Sequence, residues 1–215
     1  MVCADGLGGL PAGDVASRTG VMSIVERLGE VGSGDESVAM DAWRKRVVRA
    51  IRGAEDDLVE AGDLDPELEG MATALVVAVV AENQLCVSHV GDVRAYLLRG
   101  QELELLTADH SVVWEAVESG ELTREQARTH PSGHLVTQAL GLRDPLELSS
   151  AVRTLESGDR VLLCSDGLWE TMPEDRLAEL LRDGAGPIAS AGALVEQALE
   201  SGGHDNIAVV VYRHP

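Results

Sequence analysis

The chain has 215 residues, with 17 Lys+Arg against 37 Asp+Glu, a formal net charge of −20. Nucleic acid and anionic membrane are poor partners for such a surface. Hydrophobic residues reach 45%, too many for a disordered acidic chain, and with aromatics at 2% and no Phe the core must be aliphatic.

The apolar run Met1–Ala4 reads as a strand that delivers Asp5 into Gly-Leu-Gly-Gly. A helix is predicted over Ala12–Arg27, then a Gly-rich acidic loop over Gly29–Glu36. The longest helix is predicted over Glu36–Gly62. There Met40, Trp43, Val47, Ile51, Ala54 and Leu58 step by three or four and make one apolar stripe. Arg44, Lys45, Arg46, Arg49 and Arg52 fall mostly off that stripe. They form a basic patch, read either as a solvated face or as a docking surface. Asp63–Gly70 is a second loop candidate.

Strands then dominate. Leu75–Val80 is a continuous apolar run, as a fully buried strand requires. Gln84–Val90 and Arg94–Arg99 flank a turn at Gly91-Asp92, where Asp92 and Arg94 are expected to tie a hairpin. Leu103–Leu106 is a further short strand, followed by helices over Ser111–Ser119 and Thr123–Thr129. Leu148–Thr154 and Val161–Cys164 return to strands. Thr171-Met-Pro-Glu174 is a capping-box pattern with Pro at a helix start. Leu177, Leu180 and Leu181 give that helix its buried face. Ile188–Glu200 is the last helix and Ile207–Tyr212 the last strand. Strands cluster centrally with helices in pairs around them, which is α+β rather than strict βαβ alternation.

Cys3, Cys86 and Cys164 are an odd count at wide spacing, neither a disulfide framework nor a zinc pattern. The N-terminus MVCADGLGG does not read as a signal peptide, and no run of about 18 apolar residues suggests a span. A reducing cytoplasm is the default expectation.

Asp5 and Asp166 each end an apolar strand, and Asp205 shortly precedes one. If the last strand runs antiparallel to the other two, all three acids reach one sheet edge. Converging carboxylates need a cation between them, and oxygen-only ligation suits Mg²⁺ or Mn²⁺ rather than Zn²⁺. Two such ions about 3.5–4 Å apart are a usual device for phosphoester hydrolysis. Each Asp-Gly taken alone is an ordinary turn signal.

Seven stretches, in order, resemble the metal-dependent Ser/Thr protein phosphatases of the PP2C (PPM) type, bacterial branch. They are Asp5–Ser17, Gly70–Leu75, Val90–Arg99, Leu106–Ser111, His130–Gly141, Leu163–Trp169 and Gly203–Ala208. The resemblance implies an α-β-β-α sandwich of two antiparallel sheets flanked by helices, here as a single domain over 1–215. It implies two ions of Mg²⁺ or Mn²⁺ and a third, weaker one. Asp5 would bridge the first two, the Gly6 carbonyl would hold the second, and Asp166 and Asp205 the first. Asp109 would hold the third together with Asp166. A hydroxide bridging the metals would attack phosphorus directly.

The implied substrates are phosphoserine and phosphothreonine proteins, with a Ser/Thr kinase or its substrates as partners. A pseudophosphatase or regulatory module on the same fold is the alternative, and a small-phosphoester hydrolase a third reading. Asp109-His110-Ser111 could instead cap the following helix. Thr73 reads as a packed strand residue, Trp169 as core, and Asn206 as orienting Asp205. His89 and His130 read as buried or turn histidines. His204 reads as a turn residue within possible reach of phosphate.

Relatives of this type carry a few dozen residues ahead of the position of Met1. These hold a first strand, a phosphate-gripping Arg and an Asn-Glu/Gln-Asp element near the second ion. On that comparison an edge strand is expected to be missing, through a late start or a short variant. The second ion would keep only Asp5 and Gly6, and activity would be low. Leu7 and Leu10 stand where some relatives carry His or Met, and Val93 where Ser is common.

Overall fold

A computed structural model describes residues 1–29, 39–128, 130–143 and 145–215. Among these residues eight strands form two antiparallel four-stranded sheets. The first contains β1 (Val2–Gly6), β2 (Thr73–Ala81), β3 (Gln84–Val90) and β6 (Ser149–Thr154), in that order. The second has the order β5 (Glu102–Leu105), β4 (Arg94–Arg99), β7 (Arg160–Cys164), β8 (Val209–Arg213).

Three apolar layers hold the sheets and helices together. Between the sheets lie Val76, Leu85, Val87, Leu97, Val161 and Leu163. The outer face of the first sheet packs through Leu75, Val77 and Val90 on α1 (Gly13–Gly29) and α2 (Met40–Leu64). The outer face of the second packs through Tyr96, Leu98 and Leu162 on α5 (Asp166–Trp169), α6 (Glu174–Asp183) and α7 (Pro187–Glu200). This is the α-β-β-α sandwich the resemblance implies. It also explains the unbroken apolar run of β2, which meets a sheet on one face and helices on the other.

The stripe on α2 is buried as its spacing predicts, through Val47, Ile51, Ala54 and Leu58. The start expected at Glu36 and the loop over residues 30–36 lie outside the described residues, as does Thr129 beyond α4 (Arg124–Arg128). Ser111 caps α3 (Val112–Glu118), its Oγ accepting from the Trp114 amide at 3.3 Å.

Two local expectations are corrected. Gly91-Asp92 is not the turn of a hairpin. β3 pairs with β2 and β6, whereas β4 pairs with β5 and β7, so the chain crosses here from one sheet to the other. Gly91 has φ +91°, and a Cβ there would collide with Ala74 Cβ. Glycine is what lets the crossing pass this closely over β2. The capping box does not form either. Thr171 Oγ1 donates to the Leu168 carbonyl at 2.7 Å, and α6 starts behind Pro173 without a side-chain cap.

Candidate active site

β1 and β2 are antiparallel with Asp5 opposite Ala74 and Gly6 opposite Thr73. Thr73 is fully buried, and its hydroxyl lies 2.6 Å from the Asp5 carbonyl. That contact fixes the backbone of the residue whose side chain matters. In the second sheet β7 ends at Cys164, and Ser165 opens α5, so Asp166 stands at the first turn of a helix. A carboxylate is favoured there by the unpaired amides of the helix start. Asp166 Oδ1 accepts from the Gly167 amide at 2.6 Å. β8 is antiparallel to β7, and Ser165 joins the two through Ala208. The segment before β8 therefore returns to the same end of the sandwich.

Asp5 and Asp166, carried by different sheets, come close enough that each shifts the other's carboxyl. The Asp5 carboxyl is pushed up to about 8, first by burial, then by the bond to Asp166 and its charge, with Asp92 and Asp205 adding. Burial likewise raises Asp166, while the bond from Asp5 pulls the other way. Asp92 is pushed up to about 7 by burial, then by the charges of Asp166 and Asp109. Asp205 is exposed at the rim, its Oδ1 accepting from the Asn206 amide at 2.7 Å. Among the described residues no three His, Cys, Asp or Glu side chains already stand at metal-ligating separation. The fold supplies two facing, half-buried carboxylates with two more in electrostatic range. These repel unless a proton or a cation lies among them. An all-oxygen set of this kind fits a hard divalent cation. Gly6 adds backbone, since a Cβ there would collide with the Gly13 carbonyl.

Asp109, expected to hold the third ion, is paired with Arg94 in the metal-free fold. Arg94 Nε bonds its Oδ1 at 3.0 Å and Arg94 Nη2 its Oδ2 at 2.6 Å. Both carboxylate oxygens are engaged, and the pair is nearly buried. The charge of Asp166 reaches Asp92, a residue whose setting in the sequence reads only as a turn. Arg94 does not tie to the Asp92 side chain; its guanidinium carbon lies 3.6 Å from the centre of the Trp169 ring. Trp169 donates its indole N–H to the Asp92 carbonyl at 3.1 Å. Trp169 is thus core and also a brace for the crossing loop. Thr73 is the packed residue expected, His89 is buried and His130 sits in a turn, accepting from the Ser132 amide. His204 is exposed. The signal that could have found Asp92 is its place, with Gly91, directly after the buried strand β3.

The chain matches the family model described as "Protein phosphatase 2C" over residues 1–201. It is 33% identical over 211 residues to the serine/threonine phosphatase stp of Listeria monocytogenes, covering 98% of this chain and 82% of that one. The chain belongs to the protein phosphatase 2C family. It is 36% identical to the serine/threonine protein phosphatase PstP of Mycobacterium tuberculosis over 98% of its own length and 39% of that protein's. A crystal structure of the PstP catalytic domain in complex with two manganese ions superposes with a TM-score of 0.83 at 34% identity, covering 98% of this chain and 85% of that one. The phosphatase Stp1 from Staphylococcus aureus gives 0.90 at 28%, covering 100% and 83%. This chain is therefore a metal-dependent serine/threonine phosphatase, acting on phosphoproteins with Mg²⁺ or Mn²⁺. No helix among the described residues is long and apolar enough to cross a membrane.

Proposed function

We propose that Asp5, Asp166, Asp205 and the Gly6 carbonyl hold the metal ions of this phosphatase, with Asp92 rather than Asp109 as the further acid. The observation that carries this is the approach of Asp5 at the end of β1 and Asp166 after β7, from opposite sheets, each shifting the other's carboxyl, with Asp92 and Asp205 adding charge at Asp5. When bound, the ions supply Lewis-acid activation of water and neutralise phosphate charge.

The chain's own residues set the geometry. Thr73 holds the Asp5 backbone in register. Trp169 braces Asp92, and Arg94 holds Trp169 and Asp109 in one buried stack. An open groove beside Asp5 and Gly6 is bordered by Leu7, Leu10, Ser17 and Arg18. Among the described residues Arg18 is the one cation lining it, and it is exposed. It is suited to meet the phosphorylated segment on approach.

We read residues 1–215 as one catalytic unit opposing a Ser/Thr kinase in the cytoplasm. The three cysteines are free and buried, which suits a reducing compartment. The test is Mn²⁺-dependent hydrolysis of a phosphothreonine peptide beside Asp166→Asn. Turnover that needs Mn²⁺ and disappears in the variant supports the assignment. Full turnover in the variant overturns it.

A further inference from the structure

The basic patch on α2 has no part in the acid site. Arg44, Lys45, Val48, Arg49 and Arg52 line one shallow groove of about 470 Å³ along the helix. All four cations are exposed. Arg44 and Lys45 both lean on Asp41, at 3.1 and 2.8 Å. Arg49 and Arg52 have no hydrogen bond or ion pair among the described residues. Four of the chain's 17 cations therefore share one side of one helix in a protein of net charge −20. The other side of α2 is fixed in the core by Val47, Ile51, Ala54 and Leu58. The groove is thus presented on a rigid element.

We propose that this groove docks a short acidic segment of a phosphoprotein substrate, away from the phosphorylated residue. The claim rests on the phosphatase reading for its biological use, but the binding itself does not. Charge complementarity selects the chemistry. Geometry sets the size: Arg44 to Arg52 spans about 12 Å of helix, the length of about four extended residues. Acid bounds the stripe at both ends, with Asp41 before it and exposed Asp56, Glu60 and Asp63 beyond. A membrane plane or a nucleic-acid duplex would meet those acids as well; a four-residue acidic segment need not. Burial raises the Cys86 thiol in β3, and Ser88 and then the charge of Arg44 oppose this, so the patch begins over that strand. Further along, Glu55 accepts from the Gly141 amide at 2.6 Å. Gly141 packs on Met71 and Ala72, just before the strand that pairs with Asp5. The groove therefore runs from mid-sheet toward the acid end.

The experiment measures fluorescence anisotropy of a labelled pentaglutamate peptide on the full chain, on Asp166→Asn, and on Arg49→Glu/Arg52→Glu. Wild type and Asp166→Asn should bind alike, the double variant about tenfold more weakly, and 0.5 M NaCl should abolish binding. Equal binding by the double variant overturns the proposal. So does equal binding of pentaserine, or capture of phosphatidylserine vesicles with no pentaglutamate binding. The milder Arg49→Gln/Arg52→Gln, with Tm checked, guards against misfolding.

A second arm uses a phosphothreonine peptide with and without a pentaglutamate tail on a twenty-residue Gly-Ser linker, whose span is about 25 Å. The double variant should raise KM for the tailed peptide alone, with kcat unchanged. A KM shift shared by both peptides overturns docking. If neither peptide is hydrolysed by wild type, the phosphatase reading fails, while the anisotropy result still decides the groove.

Discussion

Arg94 and Asp109 form a closed, nearly buried pair, with N–O distances of 3.0 and 2.6 Å to the two carboxylate oxygens. The same guanidinium donates to Tyr96 Oη at 3.1 Å and lies on Trp169. Removing one partner leaves the other charge buried alone, which costs about 3–5 kcal/mol. Asp109→Asn is therefore expected to lower unfolding stability by about 3 kcal/mol while Mn²⁺ stoichiometry stays as in wild type. Asp92→Asn should do the reverse, with little loss of stability and a weakened low-affinity ion. Calorimetric titration beside denaturant unfolding separates the two. Loss of an ion in Asp109→Asn with stability intact would restore it to the metal set.

Asp5 and Asp166 stand among further acids, Asp92 and Asp205, so removing one carboxylate lowers the charge that the metal-free fold must hold. In EDTA, Asp166→Asn should melt at or above the wild-type temperature. In Mn²⁺ the order should invert, because a ligand bound only to the native state stabilises by mass action. Wild type at 100 times its Kd should gain about 2.7 kcal/mol, and the variant little. Phosphothreonine turnover should drop about 10³-fold, the several kcal/mol that metal activation supplies. Thermal melts in EDTA and in Mn²⁺ check the inversion; a variant less stable in EDTA argues that the two acids hold structure rather than metal.

Much of this was legible in the sequence, for a definite reason. Asp5 and Asp166 follow apolar runs, and a run buried on both faces ends where its acid must reach water or a cation. The family motifs then fixed the sheet-helix layering. Which sheet each strand joins was not legible: Val90 and Arg94 flank a turn signal that a hairpin and a crossover share. The choice is made by Gly91 passing over Ala74, a tertiary contact. Arg94 lies two residues from Asp92 and fifteen from Asp109, so local pairing pointed to the wrong acid; the ion pair spans the longer separation. The box at Thr171 failed because α5, four residues long, carries no readable period and takes that hydroxyl.

His89 is buried, its Nε2 2.8 Å from the Ala108 carbonyl, and its ring stacks on His110 at 4.8 Å. Burial pushes its pKa down from 6.5 to about 4; the bond to Ala108 opposes this and the charge of His110 adds to it. Above pH 6.5 the ring is neutral in both folded and unfolded chains. Between 6.5 and 4 only the unfolded chain takes up the proton, so stability is lost as pH falls through that window. The full loss is about 3 kcal/mol at 1.36 kcal/mol per unit. The raised carboxyls of Asp5 and Asp92 slope the other way, so the readout is a difference. Wild type minus His89→Gln stability, measured by denaturant at pH 7, 5.5 and 4, should shrink by about 3 kcal/mol. A constant difference would show that the ring takes up its proton alike in the folded and unfolded chains.

Gly91 carries two burdens that a substitution can separate. Its φ of +91° disfavours a side chain, and a Cβ would also collide with Ala74. Gly158 has φ +92° and no atom within 4 Å of such a Cβ. Gly158→Ala should therefore show backbone strain alone, about 1 kcal/mol. Gly91→Ala should cost about 2 kcal/mol more, since a packed neighbour must move. It should also lower kcat, because the displaced loop carries Asp92 against Trp169. Gly158→Ala should leave kcat unchanged. Equal stability losses in the two variants, with kcat intact in both, would mean the crossing loop yields freely and does not position Asp92.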